Sequence, residues 1–166
     1  MLRKRIDQYT RLALLIIMSL LVLDVVWQVF TRYILQSPST FTDELARFLL
    51  IWVSLLGGAY YSGKNIHISV EVLPSRLSPQ NRKKLQIFIK ALVCVFVFSV
   101  FVIGGIYLMY TIRHQITPAL QIPMALVYLI GPVSGSLICF YQLDDIRLIL
   151  SGKDPQDVEA APEVTS

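Results

Sequence analysis

The stretch ALVCVFVFSVFVIGGIYLMY, Ala91 to Tyr110, runs for twenty residues without a charge. At about 1.5 Å of rise per residue it makes a helix about 30 Å long, which is the thickness of a bilayer's hydrocarbon core. A surface helix of a soluble domain keeps one polar face for water, and this stretch has none. The rest of the chain agrees. Of its 166 residues, 55% are hydrophobic and 16% are Asp, Glu, Lys or Arg, against about 25% charged in soluble domains. Too few charges remain to cover a globule of this size, and so apolar a composition also excludes a disordered chain.

Working outward from that run, three more candidates for membrane spans emerge. Leu12 to Phe30 is interrupted only by Ser19, Asp24 and Gln28. Phe48 to Tyr61 reaches spanning length when Phe41 to Arg47 forms its first turns. Gln115 to Leu143 carries no charge and is punctuated by Pro118, Pro123 and Pro132. Pro123 suits a helix start, where a missing N–H costs nothing; Pro132 falls inside and predicts a kink. The expected architecture is an all-α integral membrane domain over residues 1–150. Its four transmembrane helices occupy about 12–33, 41–61, 87–110 and 123–143.

Basic residues set the orientation. With the N-terminus inside, the inner segments hold Arg3, Lys4, Arg5, Arg11, Lys64, Arg76, Arg82, Lys83, Lys84, Lys90, Arg147 and Lys153. The outer ones hold Arg32, Arg47 and Arg113. Twelve against three is a positive-inside bias that places both termini in the cytoplasm. The net charge of +4 thus reads as topology and contact with anionic lipid rather than nucleic-acid binding. The first span is too long for a cleavable signal peptide and lacks a small-residue cleavage site.

The inner connection between spans 2 and 3 is the longest. Ile66 to Val72 alternates apolar and polar residues and ends at Pro74. Ser78-Pro79 then opens an interfacial cytoplasmic helix, basic at Arg82, Lys83, Lys84 and Lys90, that continues into span 3. Residues 151–166 form an acidic tail with Pro155 and Pro162, expected to be disordered.

Polar residues inside the spans are the candidate functional groups. Asp24, Gln28 and Arg32 recur every four residues and share one helix face. Asp24 reads first as a buried packing contact, with a proton- or cation-binding carboxylate as the alternative. Thr40 is the expected cap of the second span, with Asp43 completing a capping-box-like arrangement. Asp43 and Glu44 suit the positive end of the helix dipole, and each stands at ion-pair spacing from Arg47. Small residues mark close helix contacts, within the subunit or against a partner: Ser54 with Gly58, and Gly131 with Gly135. Cys94 and Cys139, 45 positions apart, read as free buried thiols. His67 and His114 fall on opposite sides of the membrane and cannot share a haem or metal.

Several of these residues, in order, resemble the small membrane subunit of tripartite ATP-independent periplasmic (TRAP) transporters, the DctQ type. Arg32-Tyr33 closes the first span, and Ser37-Pro38 precedes Phe41-Thr42-Asp43-Glu44-Leu45-Ala46-Arg47. Gly57-Gly58-Ala59, His67-Ile68, Val70-Glu71 and Leu73-Pro74 follow, then Thr117-Pro118-Ala119-Leu120-Gln121-Ile122-Pro123 with Tyr128 and Pro132. The similarity covers about Leu12 to Leu150; Phe41 stands where the family often has Trp.

The resemblance implies a non-enzymatic subunit of a sodium-coupled system in the bacterial inner membrane. A periplasmic binding protein delivers an organic acid, of the C4-dicarboxylate or sialic acid type, to two membrane subunits. The large one holds the substrate and sodium sites, and the small one braces it and helps dock the binding protein. No cofactor is expected in this subunit. On that reading Arg32, Asp43, Glu44, Arg47 and Arg113 are candidates for contact with the binding protein or the large subunit. Asp24, Gln28, Ser54, Gly58, Gly131 and Gly135 are candidates for intramembrane packing. The competing reading is a small homodimeric proton-coupled exporter using Asp24. A redox anchor needs paired His or reactive Cys in the spans, and no nucleophile elbow, P-loop or metal-spaced cluster points to a soluble enzyme.

Overall fold

A computed structural model describes residues 2–37, 39–64 and 79–151. The Ile66 to Val72 alternation, Pro74, His67, Ser78 and the tail beyond residue 151 lie outside the described residues. All regular structure among the described residues is helical, and four helices are long and apolar enough to cross a membrane: Arg3–Tyr33, Thr40–Gly63, Lys83–Thr111 and Met124–Leu150.

The first is α1, Leu2–Tyr33, whose 32 residues would extend about 48 Å. It overruns the apolar core by several turns, and those turns carry Arg3, Lys4, Arg5 and Asp7. Next comes α2, Thr40–Gly63. Its N-cap is Ser39, without a side-chain cap hydrogen bond, so the expected Thr40 capping box does not form; Thr42 Oγ1 instead donates to Ser39 O at 2.9 Å. Thr40 is the first helical residue rather than the cap.

The third span is one continuous rod in three parts. They are α3, Pro79–Val97, a π-helical stretch, Phe98–Gly104, and α4, Gly105–Thr111. The predicted basic helix is thus the first turns of this span. A loop leads to the fourth span, which is divided into α5, Met124–Tyr128, and α6, Ile130–Leu150. The division at Leu129 has a local cause. Pro132 has no N–H to offer the carbonyl four residues back, at Tyr128, and its ring crowds that carbonyl. The neighbouring carbonyl of Val127 is satisfied from outside, by Trp52 Nε1 of α2 at 3.0 Å. Pro123 takes the N-cap position of α5, one residue before the start that the sequence suggests.

Helices α2 and α6 form the centre, with α1 against α2 and the α3–α4 rod against α6. The largest fully buried side chains carry polar groups: Tyr141, Gln142, Thr117, Asp145 and Ser134. Large apolar side chains such as Leu23, Val95 and Tyr107 face outward. This is the inverse of a soluble core, and it follows from the solvent. Lipid is as apolar as Leu, so only close packing and polar contacts hold helices together.

Glycines set two of the crossings. A Cβ on Gly135 would lie 2.6 Å from Phe101 Cβ, and one on Gly105 would lie 2.8 Å from Pro132 Cδ. The π-helical stretch and the proline break therefore meet face to face, seated on glycine. Gly131 also faces Phe101, at 4.0 Å. Ser54 and Gly58 behave differently: both are exposed, and nothing lies within 4 Å of a Cβ on Gly58.

Candidate functional site

Two polar assemblies close the bundle, one at each end. At the end where α1 begins and α6 finishes, Asp145 of α6 is fully buried and uses both carboxylate oxygens. Oδ1 accepts from Arg3 Nη1 at 2.8 Å and Oδ2 from Lys90 Nζ at 2.6 Å. Arg3 also reaches Asp144 Oδ2 at 3.2 Å and donates through Nη2 to the carbonyl of Gly63. That carbonyl is one of the last of α2, which no intrahelical N–H can serve. One guanidinium from α1 thus joins the end of α2 to the end of α6, while Lys90 brings in α3. Such charge-assisted bonds in a region of low dielectric are among the stronger ones a protein makes.

Around this cluster Tyr141 donates to Asp7 Oδ1 at 2.6 Å, and Gln142 Nε2 donates to Ser62 Oγ at 3.0 Å. The Tyr141 ring lies against Gly63, where a Cβ would sit 2.9 Å from ring carbons. Cys139, on the same helix, lends its Sγ–H to Cys94 O at 3.6 Å; both cysteines are free.

At the opposite end the loop between α4 and α5 folds back on itself. Thr117 is fully buried; its N–H donates to Ile122 O at 2.9 Å and its carbonyl accepts from Gln121 N at 3.2 Å. Its hydroxyl accepts from Ile122 N at 3.2 Å. Gln121 holds φ +55°, the left-handed region that residues with a Cβ seldom occupy. Across the loop, Met124 N donates to Gln115 O at 2.9 Å. Glu44 of α2 completes the arrangement. Its Oε2 accepts from the backbone amides of both Ala119, at 2.8 Å, and Leu120, at 2.9 Å.

The sequence-derived candidates fall on these ends unevenly. Asp43 accepts a hydrogen bond from Gln28 Nε2, which ties α1 to α2, and Glu44 is turned to the loop. Among the described residues neither pairs with Arg47, so the expected ion pairs at three and four residues are replaced by longer-range partners. Arg32, Arg47 and Arg113 are exposed. The Arg113 guanidinium stacks 4.5 Å from the centre of the Tyr110 ring, and its Nε donates to His114 Nε2 at 3.0 Å. Asp24 and Gln28 face α2 and are half-buried. Among the described residues, the shielded Asp24 Oδ2 has no hydrogen-bond partner.

Asp145, Asp144, Asp7, Tyr141 and Gln142 were not singled out by pattern, and Arg3 and Lys90 only as topology markers. One signal was available. Asp144-Asp145 is a pair of acids next to a span whose other flanking charges are basic, and an acid among positive-inside residues invites a partner.

Comparison with known proteins supplies the family. A family model described as "Tripartite ATP-independent periplasmic transporters, DctQ component" matches residues 21–152, most of the chain. The sialic acid TRAP transporter small permease protein SiaQ of Vibrio cholerae is 27% identical over 146 residues, covering 88% of this chain and 84% of that protein. The C4-dicarboxylate TRAP transporter small permease protein DctQ of Rhodobacter capsulatus is 30% identical over 99 residues, 59% of this chain and 44% of that one. The isethionate TRAP transporter permease protein DctMQ of Oleidesulfovibrio alaskensis is 28% identical over 113 residues, 66% of this chain but 18% of its own length. The four spans, the order of the loop motifs and these matches agree: this chain belongs to the DctQ-type small permease subunits of tripartite ATP-independent periplasmic transporters.

Proposed function

We propose that this subunit braces a large permease partner in the bacterial inner membrane and presents part of the surface on which a soluble binding protein delivers an organic acid. Both termini then lie in the cytoplasm, and the Glu44 end of the bundle faces the periplasm. Sodium coupling and the substrate path belong to the large partner. The cargo is an organic anion, in keeping with relatives named for sialic acid, C4-dicarboxylates and isethionate.

One observation carries the bracing role. The buried carboxylate of Asp145 has both oxygens engaged by cations from two other helices, so the most fully buried charge among the described residues serves helix attachment. Such a bundle is built to hold its shape. The DctMQ relative supports the pairing, since a stretch like this chain forms a small part of one longer permease.

Affinity purification of the tagged subunit from native membranes in mild detergent tests the reading. A larger polytopic permease is expected at a constant ratio to this chain. Recovery of a homodimer without such a partner would contradict it and favour the exporter reading built on Asp24.

A further inference from the structure

Glu44 is a charged residue at the proposed periplasmic end, yet its geometry does not suit it to face a soluble protein. It is half-buried, and one oxygen accepts from two consecutive backbone amides, those of Ala119 and Leu120. Consecutive N–H groups converging on one point make a small anion-binding concavity, and here the anion is supplied by the protein itself.

The loop that this carboxylate holds is otherwise cross-tied, through Thr117 to Ile122 and through Gln115 to Met124. Gln121, with its left-handed φ, is kept in place by two bonds of its own, N–H to Thr117 O and Nε2 to Pro118 O. Ile116, Pro118, Gln121 and Pro123 remain exposed along the outer edge. From Gln115 to Leu143 the sequence has no charge, so this edge can recognise a partner only by shape, apolar contact and neutral hydrogen bonds. Recognition of that kind depends on a surface already ordered before contact, because ordering a loop on binding opposes affinity.

We propose that Glu44 is a positioning residue: it clamps the Thr117–Ile122 loop so that the loop's exposed edge, and not the Glu44 charge, meets the soluble binding protein. This rests on the docking role proposed above. It also divides the labour among the sequence-derived candidates. Exposed Asp43 and Arg113 act as rim charges that steer approach, and Glu44 shapes the surface that is met.

The test uses the subunit reconstituted with its large partner in proteoliposomes, titrated with the substrate-loaded binding protein. Glu44→Ala removes the acceptor, while Glu44→Gln keeps an acceptor oxygen and removes the charge. Amide hydrogen exchange at Ala119 and Leu120 reports the clamp directly, without reference to docking. For E44A we expect exchange at these amides to rise at least tenfold. The half-saturating concentration of binding protein should rise at least fivefold, with maximal uptake within twofold of native. E44Q should stay within twofold of native on all three measures. The proposal is overturned if E44Q is as impaired as E44A in half-saturation, or if E44A leaves either the exchange or the half-saturation at native values. The docking role falls with it only if Asp43→Lys and Arg113→Glu also leave half-saturation unchanged.

Discussion

Replacing Asp145 by Ala puts the bracing role to a quantitative test. Asp145 is fully buried, and its carboxylate joins Arg3 at 2.8 Å to Lys90 at 2.6 Å. Without it, a guanidinium and an ammonium remain close together, with side chains only 17% and 15% exposed. Breaking a buried ion pair in this manner costs about 3–5 kcal/mol. Asp144 stays 3.2 Å from Arg3 but is 33% exposed, so it offsets part of the loss and places the expectation near the low end, at about 3 kcal/mol. Unfolding by SDS in mixed micelles, followed by the fluorescence of Trp27 and Trp52, measures this. Pairing D145A with Lys90→Met closes a double-mutant cycle, because K90M removes one of the two cations that Asp145 binds. The double variant should therefore be more stable than the sum of the single effects by about 1–3 kcal/mol. A D145A protein within about 0.5 kcal/mol of native, or strictly additive effects, would refute the idea that this cluster fastens the helices.

Other expectations follow from the same geometry. Gly135→Ala places a methyl group 2.6 Å from Phe101 Cβ and should destabilise by about 1–3 kcal/mol in the same assay; Gly58→Ala, with open space around it, should change the isolated subunit by less than about 0.5 kcal/mol. Trp52→Phe removes the N–H that serves Val127 O at 3.0 Å and should cost about 1–3 kcal/mol by leaving that carbonyl unserved, again read by SDS unfolding. Asp24→Asn should leave solute uptake by the assembled transporter at the native rate, as a packing contact would; a loss of uptake in an intact complex would instead give Asp24 a part in transport.

The spans were legible because a bilayer imposes a length and a composition, and Ala91 to Tyr110 satisfies both without exception. Breaks in the helices were legible only where a residue type forces them. Pro132 announces the division of span 4, whereas the π-helical stretch at Phe98–Gly104, which lies against Gly131 and Gly135, has no composition of its own. The ion cluster was hidden by distance along the chain. Arg3 and Asp145 are separated by 142 positions, and Arg3 has a sufficient local explanation as a topology charge. The true partners of Glu44 are hidden for a related reason. Its neighbours at helical spacing offered Arg47, while its real partners are backbone amides 75 and 76 residues away, and backbone donors leave no trace in sequence. Local patterns thus identify the segments, while the contacts between segments, on which the candidate site depends, require the fold.

On the proposed function, this chain supports transport without performing it. Uptake of a radiolabelled organic acid into proteoliposomes, driven by an imposed sodium gradient, tests that most directly. The subunit alone should give no uptake above protein-free vesicles, and uptake should appear only when the large permease and the loaded binding protein are both present. Solute movement by the subunit alone, or full uptake by the large permease in its absence, would contradict it.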